Sequence, residues 1–152
     1  MNLIEFKPLA TSDIEILLTM MSDFYAIDHY PIDLVVSRNL IETFINHTAL
    51  GKGWLILFEN KVIGYCILTF VFSFEYQGRI AFLDELYLSK EARGKGIGKA
   101  AIAFIKSESH KLSLKLIYLE VENHNENAQK LYLAHDFAIH NRKIMKYKIP
   151  NL

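Results

Sequence analysis

The sequence predicts an α/β domain, a mixed and mostly antiparallel sheet flanked by about four helices. Three observations predict it. The chain has 152 residues, the size of one domain, and 1–152 reads without internal repeat, low-complexity tract or linker. Three apolar runs in its middle are divided by turn signals, as in an antiparallel meander. Beyond them, helix and strand patterns alternate around one glycine-rich loop.

The elements follow in order. Leu3–Phe6 is a short apolar strand. Ser12 and Glu15 have capping-box spacing and open a helix to about Tyr25, with Ile14, Leu17, Leu18 and Met21 on one face. Pro31 and Asp33 open a second helix, with Leu34, Leu40, Ile41, Phe44 and Ile45 as its core side and Gly51 and Gly53 as its stop. Trp54–Phe58, Val62–Ser73 and Arg79–Leu88 are strands, joined by turns at Glu59–Lys61 and Tyr76–Gly78. A helix over Lys99–Glu108, a strand over Leu114–Val121 and a helix over Asn125–Ala134 come next. One or two closing strands over Phe137–Lys148 complete the sheet.

Composition narrows the function. Hydrophobic residues are 51% and charged residues 22% of the chain, which excludes wholesale disorder. The single cysteine, Cys66, excludes a disulfide framework or a thiolate-rich metal site, and reads as a buried small hydrophobe. The six histidines lack metal-ligand spacing, so no metal is expected. The start MNLIEFKPLA lacks the pattern of a signal peptide, and Gly64–Phe74 is too short to cross a bilayer, so a cytoplasmic protein off the membrane is expected. The net charge is zero, but it is segregated. Residues 1–85 carry eleven acidic and five basic side chains; residues 86–152 carry six acidic and twelve basic. Two solvated faces would produce this, and so would a cationic ligand near the first half with an anionic one near the second. A nucleic-acid partner is not expected without an excess of positive charge.

The most informative stretch is Arg93-Gly94-Lys95-Gly96-Ile97-Gly98-Lys99, between a strand and a helix. Glycines let backbone N–H groups approach a bulky anion, and the helix N-terminus adds unpaired donors. A tight turn with solvated lysines is the plainer reading. The spacing is neither that of a P-loop, since Ala100 follows Lys99, nor that of a dinucleotide fingerprint. Arg93-x-x-Gly96-x-Gly98 instead resembles the signature of the GNAT superfamily of N-acetyltransferases. Asp84–Leu88 resembles that family's central strand, Leu119–Val121 the next strand, and Asn125-x-x-Ala128-x-x-Leu131-Tyr132 its closing helix. The likeness spans about residues 3–148. Phe82–Leu86 also resembles the diamine (spermidine/spermine) acetyltransferase branch.

The resemblance implies a GNAT-like fold and transfer of an acetyl group from acetyl-coenzyme A to an amine. It places the pyrophosphate on Arg93, Gly94, Lys95, Gly96, Ile97, Gly98 and Lys99. The pantetheine arm would lie along Leu86, Tyr87 and Leu88 like an added strand, in a slot beside Glu120–Val121, with Asn125 and Ala128 at the cofactor and Tyr132 near the sulfur. Where relatives often place a glycine before the phenylalanine, this chain has His135-Asp136-Phe137. Asp tolerates a left-handed backbone, so the turn is expected to survive.

An alkyl amine with a pKa of about 10.4 must lose a proton before it attacks. A backbone N–H of Leu86 or Leu88 would polarise the thioester carbonyl, and Tyr132 would protonate the leaving thiolate. For the base, resemblance to the diamine branch favours Asp84, directly or through water, while Glu120 matches the acid of ribosomal-protein alanine acetyltransferases. Glu85 is the third candidate. On a regular strand Asp84 and Glu85 face opposite ways, so one at most would enter the cleft, unless a bulge intervenes. Tyr25 and Tyr30, before Pro31, are expected at the acceptor, with core packing as the alternative. The expected function is acetylation of a small, cationic primary amine. Peptide or protein N-terminal acetylation and a non-catalytic acyl-coenzyme A-binding module are the alternatives. Many relatives pair, so a homodimer is an open expectation.

Overall fold

The computed structural model describes residues 3–151. Five strands, β1 (Ile4–Pro8), β2 (Gly51–Phe58), β3 (Lys61–Ser73), β4 (Gly78–Leu88) and β5 (Ile117–Tyr118), form one sheet in chain order. All neighbours are antiparallel except β4 and β5, which are parallel. The helices are α1 (Ile14–Ile27), α2 (Leu34–Asn46), α3 (Ile97–Lys111) and α4 (Glu126–Ala134).

Strand alternation divides the core between the two faces. Leu55, Tyr65, Ile67 and Tyr87 meet Leu17, Leu18, Met21 and Ile41 of α1 and α2. Trp54, Cys66, Leu68, Ala81 and Leu83 meet Ile102 and Ile105 of α3. Cys66 is fully buried, and burial pushes its thiol up to about 12. Among the described residues no helix is long and apolar enough to cross a membrane.

Local chemistry sets most boundaries. Asp33 caps α2 by accepting from Val36 N–H at 3.0 Å. Glu59 and Asn60, both at positive φ, make the two-residue β2–β3 turn. Asp136 takes φ +73° after α4, as expected of the residue in the glycine position, and its carboxylate pairs with Lys106 at 2.6 Å.

Several expectations are corrected. The residue closing the entry to α1 is Asp13, which accepts from Ala10 N–H at 2.9 Å and pairs with Lys7, while Glu15 instead holds Arg38 of α2. Leu34 and Leu40 are exposed, because α2 meets the core only along its Ile41 edge; Leu40 is 62% exposed. Gly51 and Gly53 do not stop α2 but lie in β2, where a Cβ on Gly51 would sit 2.1 Å from the Leu68 carbonyl. The strand expected over Leu114–Val121 shrinks to Ile117–Tyr118, because β4 turns away beyond it. Over Phe137–Lys148 no strand forms among the described residues: that segment has no ladder partner in this chain.

Candidate active site

The two edges of β4 behave differently. Toward β3 the ladder runs from Leu88, opposite Gly64, to Gly78, opposite Ser73. It slips once: Glu85 faces Ile67 and Leu83 faces Leu68, leaving Asp84 as an extra, bulged residue. Toward β5 only Ala81 and Phe82 are paired. Past Phe82 the strands part, so Asp84–Leu88 has an unladdered edge facing β5.

The bulge is the exception allowed for in the alternation of Asp84 and Glu85, and with it both line one cavity of about 520 Å³. Tyr25, Tyr30, Asp28, Glu120, Glu122, Asn125, Ala128 and Tyr132 line it too. It holds five carboxylates and, among the described residues, no lysine, arginine or histidine. Glu85 accepts from Tyr25 Oη at 2.7 Å and Tyr65 Oη at 2.6 Å. Burial raises its pKa, the two hydroxyls pull it back, and Asp84 adds to the rise. The Asp84 carboxylate has no hydrogen-bond partner among the described residues. Burial and then the neighbouring Glu120 raise its pKa. Tyr30 Oη donates to Glu122, and His124 pairs with Asp28 at 3.1 Å, so two contacts tie the α1–α2 loop to the segment before α4.

A second cavity, of about 790 Å³, continues from the first. Phe24, Asp28, Leu86, Asn125, Ala128 and Tyr132 line both. Its far end reaches Tyr87, Leu88, Arg93, Gly94 and Gly98. Gly94 and Gly96 have φ of +76° and +73°, and Gly96 is the N-cap of α3, so the loop turns its backbone into the helix start. The remaining loop residues lie off this wall. Lys95 sits over the Phe58 ring at 5.5 Å, Ile97 is buried in the core and Lys99 is exposed. Asn125 Oδ1 caps α4 by accepting from Ala128 N–H at 3.1 Å, which leaves its amide N–H groups for the cleft. Tyr132 packs against Phe137, and burial pushes its phenol up to about 12.

Tyr65, Asp28, Glu122 and His124 were not legible as site residues. The alternation in β3 marks Tyr65 as core, and only the register that sets it near Glu85 reveals its second task. The other three lie on two loops that the fold brings together.

Known proteins resemble this chain in sequence and fold. A D-amino-acid N-acetyltransferase of Saccharomyces cerevisiae is 32% identical over 53 residues, which is 35% of this chain and 33% of that protein. An uncharacterized N-acetyltransferase of Bacillus subtilis is 34% identical over 79 residues, 51% of this chain and 53% of that one. The matches thus span about a third and about half of these curated relatives. A solved integron cassette protein from the mobile metagenome of Cole Harbour Salt Marsh is 25% identical. That match covers 96% of this chain and 91% of the other, with a TM-score of 0.86. The sequence profile described as the acetyltransferase (GNAT) family matches residues 16–137, and the chain belongs to that family.

Proposed function

We propose that this protein transfers the acetyl group of acetyl-coenzyme A to the primary amine of a small cationic acceptor. One observation carries the reading. Two cavities meet at Leu86, Asn125, Ala128 and Tyr132; one is lined by five carboxylates and the other leads to Arg93 and the glycine loop. The loop N–H groups and Arg93 suit a pyrophosphate, and the unladdered edge of Leu86–Leu88 offers backbone partners to an amide-bearing arm.

The acceptor enters as an ammonium ion. Asp84, unengaged by other side chains and raised in pKa, takes one proton, directly or through water. The freed nitrogen lone pair forms the C–N bond at the thioester carbonyl, whose developing oxyanion is met by a β4 backbone N–H. Collapse breaks the C–S bond. Tyr132 gives its proton to the departing sulfur and recovers one from the new amide nitrogen. The products are the N-acetyl amine and coenzyme A, with one proton released to solvent. Glu85 holds Tyr25 in place, and Glu120 keeps Asp84 ready to accept a proton.

The substrate named for the yeast relative carries a carboxylate, and among the described residues nothing cationic lines the acidic cavity to receive one. A thiol-release assay with acetyl-coenzyme A tests the choice, using polyamines, lysine analogues, aminoglycosides, N-terminal peptides and D-amino acids. We expect di- and polycations to exceed peptides and D-amino acids by at least about 10-fold in kcat/KM. Preference for D-amino acids or peptides would overturn the cationic reading.

A further inference from the structure

We infer that the amine acceptor carries an apolar body of about six carbons beside its ammonium group, and that this body lies in a pocket between α2 and the sheet. The inference deepens the acceptor reading above and rests on it. The pocket has a volume of about 350 Å³. Leu17 and Met21 of α1, Ile41 and Phe44 of α2 and Ile67 of β3 line it. Leu40 and Leu50 line it too, and at 62% and 46% exposed they stand where it meets solvent. The space exists because α2 reaches the core only along its Ile41 edge.

Continuity with the reacting groups assigns the occupant. Tyr25, Asp84 and Glu85 line this pocket and the acidic cavity alike. Among the described residues Asp84 and Glu85 are the charged groups of its lining, beside the hydroxyls of Ser37, Thr43 and Thr69. A nitrogen at Asp84 therefore stands at a junction. On one side lie carboxylates, which suit cationic groups. On the other lie hydrocarbon walls, where an ammonium would lose its water without gaining a partner.

A ligand site of this make combines apolar walls for affinity with a few polar groups for orientation. A carbon body here would cover Leu40 and Leu50, which otherwise face water. Size sets the class. A cavity of about 150 Å³ is enough for benzene, so this pocket accepts a hexyl or phenylethyl group. The acceptor class is thus an alkyl or arylalkyl primary amine.

Thiol release from acetyl-coenzyme A tests this with ethylamine, butylamine, hexylamine and 2-phenylethylamine, and polyamines alongside. We expect kcat/KM to rise along the series, with hexylamine at least about 20-fold above ethylamine, since each buried methylene adds affinity. The variant is Leu40→Gln with Leu50→Gln, which keeps size and charge at two exposed positions. Its ratio of hexylamine to ethylamine should fall at least about 5-fold, and a ratio is unaffected by any fraction of inactive chain. A second readout needs no turnover. With methionine methyls carbon-13-labelled and coenzyme A present, hexylamine should shift the signal of Met21, which is buried in the pocket wall, and ethylamine should not. Rates that stay flat or fall along the series, a ratio untouched in the variant, or an unmoved Met21 signal would each overturn the apolar pocket and leave acetyl transfer standing. No turnover of any amine, polyamines included, would overturn the acetyl-transfer reading and this inference with it.

Discussion

The two edges of β4 were built from one strand and do opposite work. Its β3 edge is laddered for the whole strand, apart from the Asp84 bulge, and buries the residues that hold the fold together. Its β5 edge is paired at two residues and then opens, and every candidate site residue on β4 lies in or beyond the opening. The comparison teaches how a sheet gains a cleft without losing stability. The bulge tilts the strand, one edge keeps its partners, and the backbone groups released on the other become available to a ligand. Substitutions on the first edge should therefore cost stability, and substitutions on the second should cost activity.

Asp84→Asn presses hardest on that contrast. If Asp84 is the base proposed above, its loss should lower kcat by about 10²–10⁴-fold and leave acetyl-coenzyme A affinity unchanged. In the native protein, activity should fall as pH drops through the raised Asp84 pKa, because the carboxylate form is the base. That acid limb should vanish in the variant's residual rate. Stability should move the other way. A carboxyl whose folded pKa is raised favours folding below its unfolded pKa, and that contribution is lost as pH rises through the folded value. Asp84→Asn removes the loss, so Tm at pH 7 should rise. A lower Tm with unchanged kcat would place Asp84 in the fold and out of the chemistry.

Two glycines sharpen the same contrast from opposite ends. A Cβ on Gly96 would meet nothing within 4 Å, and Asp is among the residues that visit its left-handed backbone, so Gly96→Asp should still fold, at a cost of about 1 kcal/mol in stability. Its charge should weaken acetyl-coenzyme A binding by at least about 100-fold in calorimetry, through repulsion of the pyrophosphate. Unchanged affinity would remove the loop from the cofactor. Gly64 lies on the laddered edge, where a Cβ would sit 2.2 Å from the Tyr87 carbonyl oxygen. Gly64→Ala should cost ~3 kcal/mol in urea unfolding, since the obstacle is backbone and two strands must separate.

Tyr132→Phe should lower kcat by about 10-fold while acetyl-coenzyme A affinity stays within about two-fold, because a thiol is already a tolerable leaving group. Equal loss of both would make Tyr132 a packing residue against Phe137.

What could be read from the chain beforehand was what is local. The Arg93–Gly98 turn, the Asn125 cap and the left-handed Asp136 each follow from a few neighbouring residues. The core faces of α1 and β3 follow from periodicity. The Asp84 bulge could be allowed for but not placed, because it exists only as a register between two strands. Leu40 misled because periodicity along α2 says which face is apolar, but not how much of that face the sheet can reach. The closing strands misled for the complementary reason. Alternation over Met145–Ile149 announces a strand, but a strand also needs a laddering neighbour, and none meets this segment among the described residues.

The smallest expected effect tests the residue that joins the two edges. Tyr65 stands in the laddered core, yet its hydroxyl donates to Glu85 at the rim of the opening. Tyr65→Phe keeps the ring and deletes that donor, leaving Tyr25 as the remaining partner of the Glu85 carboxylate. A lost hydrogen bond to a buried charge should cost about 1.5–3 kcal/mol at pH 7. The Glu85 pKa, already raised by burial, should rise further without the Tyr65 bond. Stability that is present below the unfolded carboxyl pKa would then be lost up to a higher pH. The Tm gap between native protein and variant should therefore widen from pH 4 to pH 7. Activity should fall only about three-fold if Glu85 acts through Tyr25, as proposed, and does not touch the reacting atoms. A gap that stays constant with pH would show that Tyr65 stabilises the fold by packing alone, and the two edges of β4 would then be independent.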